Sequence, residues 1–182
     1  MEGILCADIN GKFYPLIDRD ELIAQIPLLK KKILYYKDYA EFSMEDLFGK
    51  DLVKESELKF VDIVETTLFM NKEGKFQAVN LPIEAQFTAI YAIKPYDINK
   101  DGFVDLVMGG NQFMVKPQFG AFDGLRGLVL KGSSTGYKKA NVQLLNIRGQ
   151  IRDIEVLTQN GSTSIVFARN NDTAIIYEVS EF

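Results

Sequence analysis

The sequence predicts a mainly β protein with a helical segment at its N-terminal end, and three observations lead there. From about Leu58 onward, short runs rich in β-formers recur, among them "KFQAVNL", "AQFTAIYAIKPY", "VDLVMGGN", "RGLVLKG", "IRDIEVLTQ", "STSIVFARN" and "TAIIYEV", with polar or glycine turns between them. Strands of that length between such turns are the pattern of propellers, sandwiches and barrels. Before that point the period is different. Leu22, Ile26, Leu29 and Ile33 recur every three or four residues and form one apolar stripe, as an amphipathic helix requires. The chain of 182 residues is 47% hydrophobic and 25% charged, which supplies a packed core for one domain or two small ones.

Residues 4–7 and "FYPLI" read as two short strands joined by the turn "DINGK". Asp18 and Glu21 stand at capping-box spacing before the helical stripe. Pro27 lies inside that stripe, so the helix is expected to kink there or a second one to begin with the proline as its first residue. "SMEDLFG" predicts a further short helix, with Ser43 as N-cap and Gly49 as the stop. "FVDIVETTLFM" and "KFQAVNL" flank "NKEG" and predict a hairpin with a four-residue loop. The shift from helix-rich to strand-rich sequence falls near residue 57, so the expected parts are residues 1–57 and residues 58–182, the latter packed as one unit.

Several function classes are disfavoured. The net charge is −4, whereas nucleic-acid binding needs a clustered basic surface. The longest basic run, Lys30 to Lys32, fits the wet face of a helix. No apolar run reaches the roughly 20 residues of a membrane span. The opening "MEGILCADING" has no basic region followed by a long apolar one, as a secretory signal would. Cys6 is the single cysteine and there is no histidine. Histidine-based nucleophile systems, the His-Glu-x-x-His zinc helix and cysteine metal clusters are therefore out of reach. Tryptophan, the strongest stacking platform for quaternary amines, is absent too. "GSSTG" has the wrong spacing for a nucleophile elbow, and "GGN" lacks the Lys-Ser/Thr of a phosphate cradle. "NGS" and "NDT" are glycosylation acceptor patterns of a kind common by chance. The realistic enzyme option is an acid/base carboxylate pair. Tyr36, Tyr39, Tyr91 and Tyr96 are candidates for a sugar or peptide groove, against the commoner role of aromatic residues as core.

The most specific stretch is "DINKDGFVDL". Asp97, Asn99 and Asp101 carry oxygen donors at every second position, Gly102 supplies a sharp turn, and the Phe103 carbonyl and Asp105 complete a ring of donors. That is hard-oxygen coordination suited to Ca²⁺ more than to Mg²⁺. An EF-hand would need a glutamate at position 12 and flanking helices. Position 12 is Met108, and the flanks read as strands.

A strand, then Asp-x-Asn-x-Asp-Gly-x-x-Asp-Leu, then a strand ending in Gly-Gly-Asn resembles the FG-GAP/VCBS repeat of integrin-type β-propellers. "LFMNKEGKFQAVNLP" is similar to the hairpin of that repeat. "KPQFGAFDGLRGLVLKG", the stretch "IRGQIRDIEVLTQNGSTSIVFARNNDTAIIYEV" and the helical "YPLIDRDELIAQIPLLKKKILYYKDYA" resemble the C-terminal region of bacterial VCBS-repeat proteins related to the ASPIC/UnbV group. The resemblance implies propeller-blade-like antiparallel sheets forming a partial propeller. It also implies a structural Ca²⁺ held by Asp97, Asn99, Asp101, the Phe103 carbonyl and Asp105. The expected role is a non-enzymatic binding or scaffold module, outside the cell or at the cell envelope, for a protein or carbohydrate ligand. The alternative is a carbohydrate-active enzyme or its sugar-binding accessory on the same scaffold. "ADINGKF" begins a similar loop with Asp8 and Asn10 but lacks the later acidic positions, so no metal is assigned to it. Whole propellers need several blades of about 40–50 residues. The chain is therefore expected to be part of a longer protein, whose open sheet edges would be covered by the helical segment or by self-association.

Overall fold

The computed structural model describes residues 3–179. They fall into two compact units, Met1–Asp62 and Ile63–Phe182. Each is built around its own apolar residues. Among the described residues, no helix is long and apolar enough to cross a membrane.

The first unit opens with a hairpin of β1 (Cys6–Ile9) and β2 (Lys12–Pro15). Its two-residue turn places Asn10 and Gly11 at φ 55° and 79°, the left-handed pair that matches strand twist in hairpins. Helix α1 (Arg19–Gln25) starts where Asp18 accepts a hydrogen bond from the Glu21 amide. It ends before Pro27, which becomes the first residue of a 3₁₀ turn over Pro27–Lys31. Proline has no N–H to continue the α ladder, but it fits the first turn of a new helix. Short helices α2 (Tyr36–Tyr39) and α3 (Met44–Phe48) follow. Ser43 and Asp46 form a reciprocal capping box on α3, and Gly49 ends it at φ 86°. A fourth helix, α4 (Lys50–Glu55), is absent from the sequence expectation. Gly49 resets the chain direction and so serves as its N-cap as well. Leu22, Leu29 and Ile33 of the predicted stripe are buried together with Leu47.

The second unit is all antiparallel. Hairpin β3 (Thr67–Lys72) and β4 (Lys75–Asn80) is joined by Glu73 and Gly74 at φ 53° and 82°. Its loop thus has two residues where four were expected, because the left-handed pair lets Lys72 oppose Lys75. The expected strand character of residues 60–66 is also corrected. Phe60, Val61, Ile63 and Val64 are exposed and belong to no strand. A 3₁₀ turn at Ile83–Gln86 delays the next strand, so β5 runs only from Ile90 to Tyr96.

Strands β5, β6 (Asp105–Gly110), β7 (Leu128–Leu130) and β8 (Val142–Leu144) form a four-stranded up-and-down sheet in chain order, the topology of a propeller blade. β8 is too short to stand out in the sequence; pairing with β7 makes it a strand. A three-stranded sheet, β9 (Ile151–Gln159), β10 (Ser162–Arg169) and β11 (Ile175–Glu178), completes the unit. The protein is mainly β, and the described sheets form no closed barrel.

Strand alternation explains how the four-stranded sheet is buried. Val107 and Val129 join Ile151, Ile154, Ile165 and Phe167 in one cluster. Their neighbours Leu106, Met108, Leu128 and Leu130 join Ala85 and Leu125 in another. Side chains on a strand alternate between faces, so β6 and β7 are covered on both, and all six residues of β6 are buried. The "GGN" at its end is a packing device. A Cβ on Gly109 would lie 2.4 Å from the Ile151 side chain, and one on Gly110 would lie 2.1 Å from the Ala89 carbonyl oxygen. Asn111 follows at φ 79°, where its buried amide donates to the carbonyls of Leu125 and Gly149 and accepts from the Leu125 amide.

Candidate functional site

The Asp97–Asp105 segment is the connection from β5 to β6, at one end of the four-stranded sheet. Its wrapping follows from its residue types. Lys100 and Gly102 both take left-handed φ, 59° and 87°. Open space surrounds the missing Cβ of Gly102, so the glycine is needed for its conformation and not for room.

Aspartate and asparagine side chains then bond back to the backbone, as they do in turns. Asp97 Oδ1 accepts from the Asp101 amide (3.1 Å) and Oδ2 from the Gly102 amide (2.9 Å). Asn99 Oδ1 also accepts from the Asp101 amide (3.1 Å), and its Nδ2 donates to Asp101 Oδ2 (2.8 Å). Asp101 Oδ1 accepts from the Phe103 amide (2.9 Å). The structure thus brings Asp97, Asn99 and Asp101 into one hydrogen-bonded cluster, while Phe103 closes the turn through its amide.

Asp105 is placed differently. It is the first residue of β6 and has no solvent exposure. Oδ2 accepts from the Ile98 amide (2.9 Å) and Oδ1 from the Gly132 amide (2.8 Å). Its carboxylate therefore clamps the near end of the 97–105 loop to a second loop, which leaves β7 at Gly132. That second contact is close-fitting, since a Cβ on Gly132 would sit 2.3 Å from the Val104 carbonyl oxygen. Tyr137, farther along the second loop, donates to the same carbonyl (2.8 Å). Burial, and then the Asp105 charge, push the Tyr137 phenol above its ordinary value of 10.0. The phenol remains a donor at neutral pH. The sequence singled out Asp105 by spacing alone. Its clamp role was hidden because Gly132 lies 27 residues away.

The donor set suits a hard divalent cation. Among the described residues, no three Asp, Glu, His or Cys side chains converge. The loop itself offers two carboxylates, one amide oxygen and a carbonyl. Each carboxylate oxygen has a second acceptor position beyond the one its N–H bond uses. The Phe103 carbonyl accepts no protein hydrogen bond among the described residues. Asp97, Asn99, Asp101 and the Phe103 carbonyl would hold the ion, with the remaining acceptor positions of Asp105 behind them. When bound, the ion supplies positive charge between carboxylates that otherwise repel one another.

Beside the loop lies a cleft of about 520 Å³. Asn99 and Asp101 form one wall; Lys131, Gly132, Ser133, Asn141, Val142 and Gln143 form the other. Asp101 is the single carboxylate in this lining. The tyrosines named as groove candidates have other contacts. The Arg152 guanidinium stacks on Tyr91, 4.1 Å from its ring centre, and Tyr96 packs against the core. Tyr39 donates to the Ile17 carbonyl, and Tyr36 donates to Asp20. Ser133 of "GSSTG" donates to the Gly136 carbonyl within its own turn (2.6 Å). Comparison with protein-family profiles, with curated proteins and with solved structures finds no match to this chain.

Proposed function

We propose that the chain is a non-enzymatic binding or scaffold module of FG-GAP/VCBS type, in which Ca²⁺ in the 97–105 loop is a structural ion. The observation that carries this reading is the placement of the Asp-x-Asn-x-Asp-Gly loop. It joins the first two strands of a four-stranded up-and-down sheet, with three oxygen-bearing side chains drawn together by left-handed residues at positions 4 and 6. The resemblance to secreted and envelope repeat proteins supports a location outside the cell or at its envelope. Extracellular modules of this chemistry bind Ca²⁺ at roughly 10⁻⁴–10⁻³ M, so the ion acts as a staple and not as a sensor.

Thermal unfolding in EGTA, then in rising CaCl₂, tests the reading. A ligand that binds only the folded state contributes RT ln(1 + [L]/Kd), about 1.4 kcal/mol at ten times Kd. For a unit of this size that raises the midpoint by roughly 5 °C. Asp101→Ala should abolish the rise, and MgCl₂ should produce little of it. An unchanged wild-type midpoint at about 10 mM CaCl₂ would reduce the loop to a turn and remove the main support for the family reading.

A further inference from the structure

We infer that the cleft between the 97–105 and 131–143 segments is a binding site for a hydroxyl-rich saccharide. The inference deepens the binding role proposed above, but the cleft stands on protein contacts alone.

The walls of the cleft are fixed. They come from segments about 30 residues apart in sequence. Three contacts hold them together: the buried Asp105 carboxylate bound to both Ile98 and Gly132, the Tyr137 hydroxyl on the Val104 carbonyl, and the backbone of Gly132 packed on Val104 with no room for a side chain. The far wall is closed by a reciprocal contact: the Lys131 backbone amide donates to the Asn141 carbonyl (2.9 Å), and the Asn141 side-chain Nδ2 donates to the Lys131 carbonyl (3.5 Å). A cleft held this way needs little ordering on binding, which is the main cost of capturing a small flexible ligand.

The lining of the cleft is mostly polar. Its volume lies within the range of about 300–1,000 Å³ usual for small-molecule sites. Such sites are mostly apolar, however, and Val142 is the one apolar side chain in this one. The rest are amides, a hydroxyl, an ammonium and a carboxylate. The Gln143 amide makes no hydrogen bond to a described residue, and Asn141 Oδ1 likewise has no described partner. An amide offers an acceptor and two donors side by side. Vicinal sugar hydroxyls present the same alternation, since each both donates and accepts. An aliphatic ligand would leave the Gln143 amide and Asn141 Oδ1 without partners. The single carboxylate, Asp101, fits recognition. Hydrolysis by the usual route needs two carboxylates flanking the bond.

The test uses the full chain, isotope-labelled, and follows the side-chain amide NMR signals of Gln143 and Asn141. The probes are D-glucose, D-galactose, D-mannose and N-acetyl-D-glucosamine, each added to about 100 mM because an open polar site is expected to bind at millimolar strength. Each titration is run in EGTA and in CaCl₂. The expected result is a saturable shift of both amide signals with at least one sugar, while Gln77 on the β3–β4 hairpin stays unmoved. Gln143→Ala should weaken binding about tenfold and leave any calcium-dependent melting shift intact. No saturable shift with any sugar in either medium overturns the inference, as does a shift of equal affinity in Gln143→Ala. Sugar binding without a calcium melting shift upholds the cleft and defeats the calcium reading. A calcium melting shift without sugar binding does the reverse.

Discussion

Replacing Asp105 separates its clamp role from a purely ligand role. In Asp105→Ala the amides of Ile98 and Gly132 lose their acceptor in a place with no solvent access. A hydrogen bond to a charged group contributes about 1.5–3 kcal/mol, and an orphaned buried donor costs about 1–3 kcal/mol. Two such losses approach about 5 kcal/mol. Relief of the desolvation cost of a buried carboxylate offsets part of that, leaving about 2–4 kcal/mol. Asp105→Asn keeps one acceptor but turns an NH₂ group toward the other amide, so about half the loss is expected. Asp97→Ala removes two bonds from a loop that is largely open to solvent and should cost about 1 kcal/mol. Urea unfolding in EGTA measures all three. With an m-value of about 1–3 kcal/mol/M, the midpoint of Asp105→Ala should fall by roughly 1–2 M at unchanged slope. A loss below about 0.5 kcal/mol in both Asp105 variants, or a larger loss in Asp97→Ala, would refute the clamp.

Asn111→Ala removes three hydrogen bonds, two buried and one part-buried, and leaves a β-carbon at φ 79°. It should destabilise by about 3–4 kcal/mol in urea, and Asn111→Gly by about 1 kcal/mol less, since glycine adopts that φ without strain. In the helical unit, hydrogen bonds from the Ser43 hydroxyl and then the Ser43 amide hold the Asp46 carboxyl below its ordinary 3.8. A depressed acid stabilises the fold above its ordinary value and loses that contribution as pH falls through the folded value. The helical far-UV signal should therefore hold from neutral pH to about 4 and decline below it. Ser43→Ala should reduce that decline; an identical acid profile in the variant would remove the capping box as its cause.

The features legible in the sequence are those whose cause is local. Ser43 and Asp18 cap helices because the partner amide lies three residues on. Asn10-Gly11 makes a turn because both residues accept positive φ. The features that escaped depend on distant partners. β8 exists because Leu128 to Leu130 offer it a ladder. Residues 60–66 have strand composition but join no strand ladder, so composition alone misled. The Glu73-Gly74 turn is a local exception, missed because glutamate rarely adopts the positive φ that lets Lys72 pair with Lys75.

The acidic motif combines both kinds of cause, and that bears on how the loop works. Residues 97–103 organise themselves through side chains two to five positions from their partners. Their anchor is not local. Asp105 joins the start of the loop to Gly132, and Tyr137 holds Val104 just ahead of it. An autonomous cation loop carries its own last ligand and turns on its own flanks. Here the ninth position is held by tertiary structure, so the geometry offered to a cation exists only once β6, β7 and the 131–137 turn are in place. On the proposed calcium reading, cation affinity and the folding of the sheet would then share one equilibrium. The same buried carboxylate that fixes the loop also fixes the cleft beside it, and Asp101 belongs to both, so the two proposed sites can be separated by substitution at Asp97 and Gln143 but not at Asp101 or Asp105.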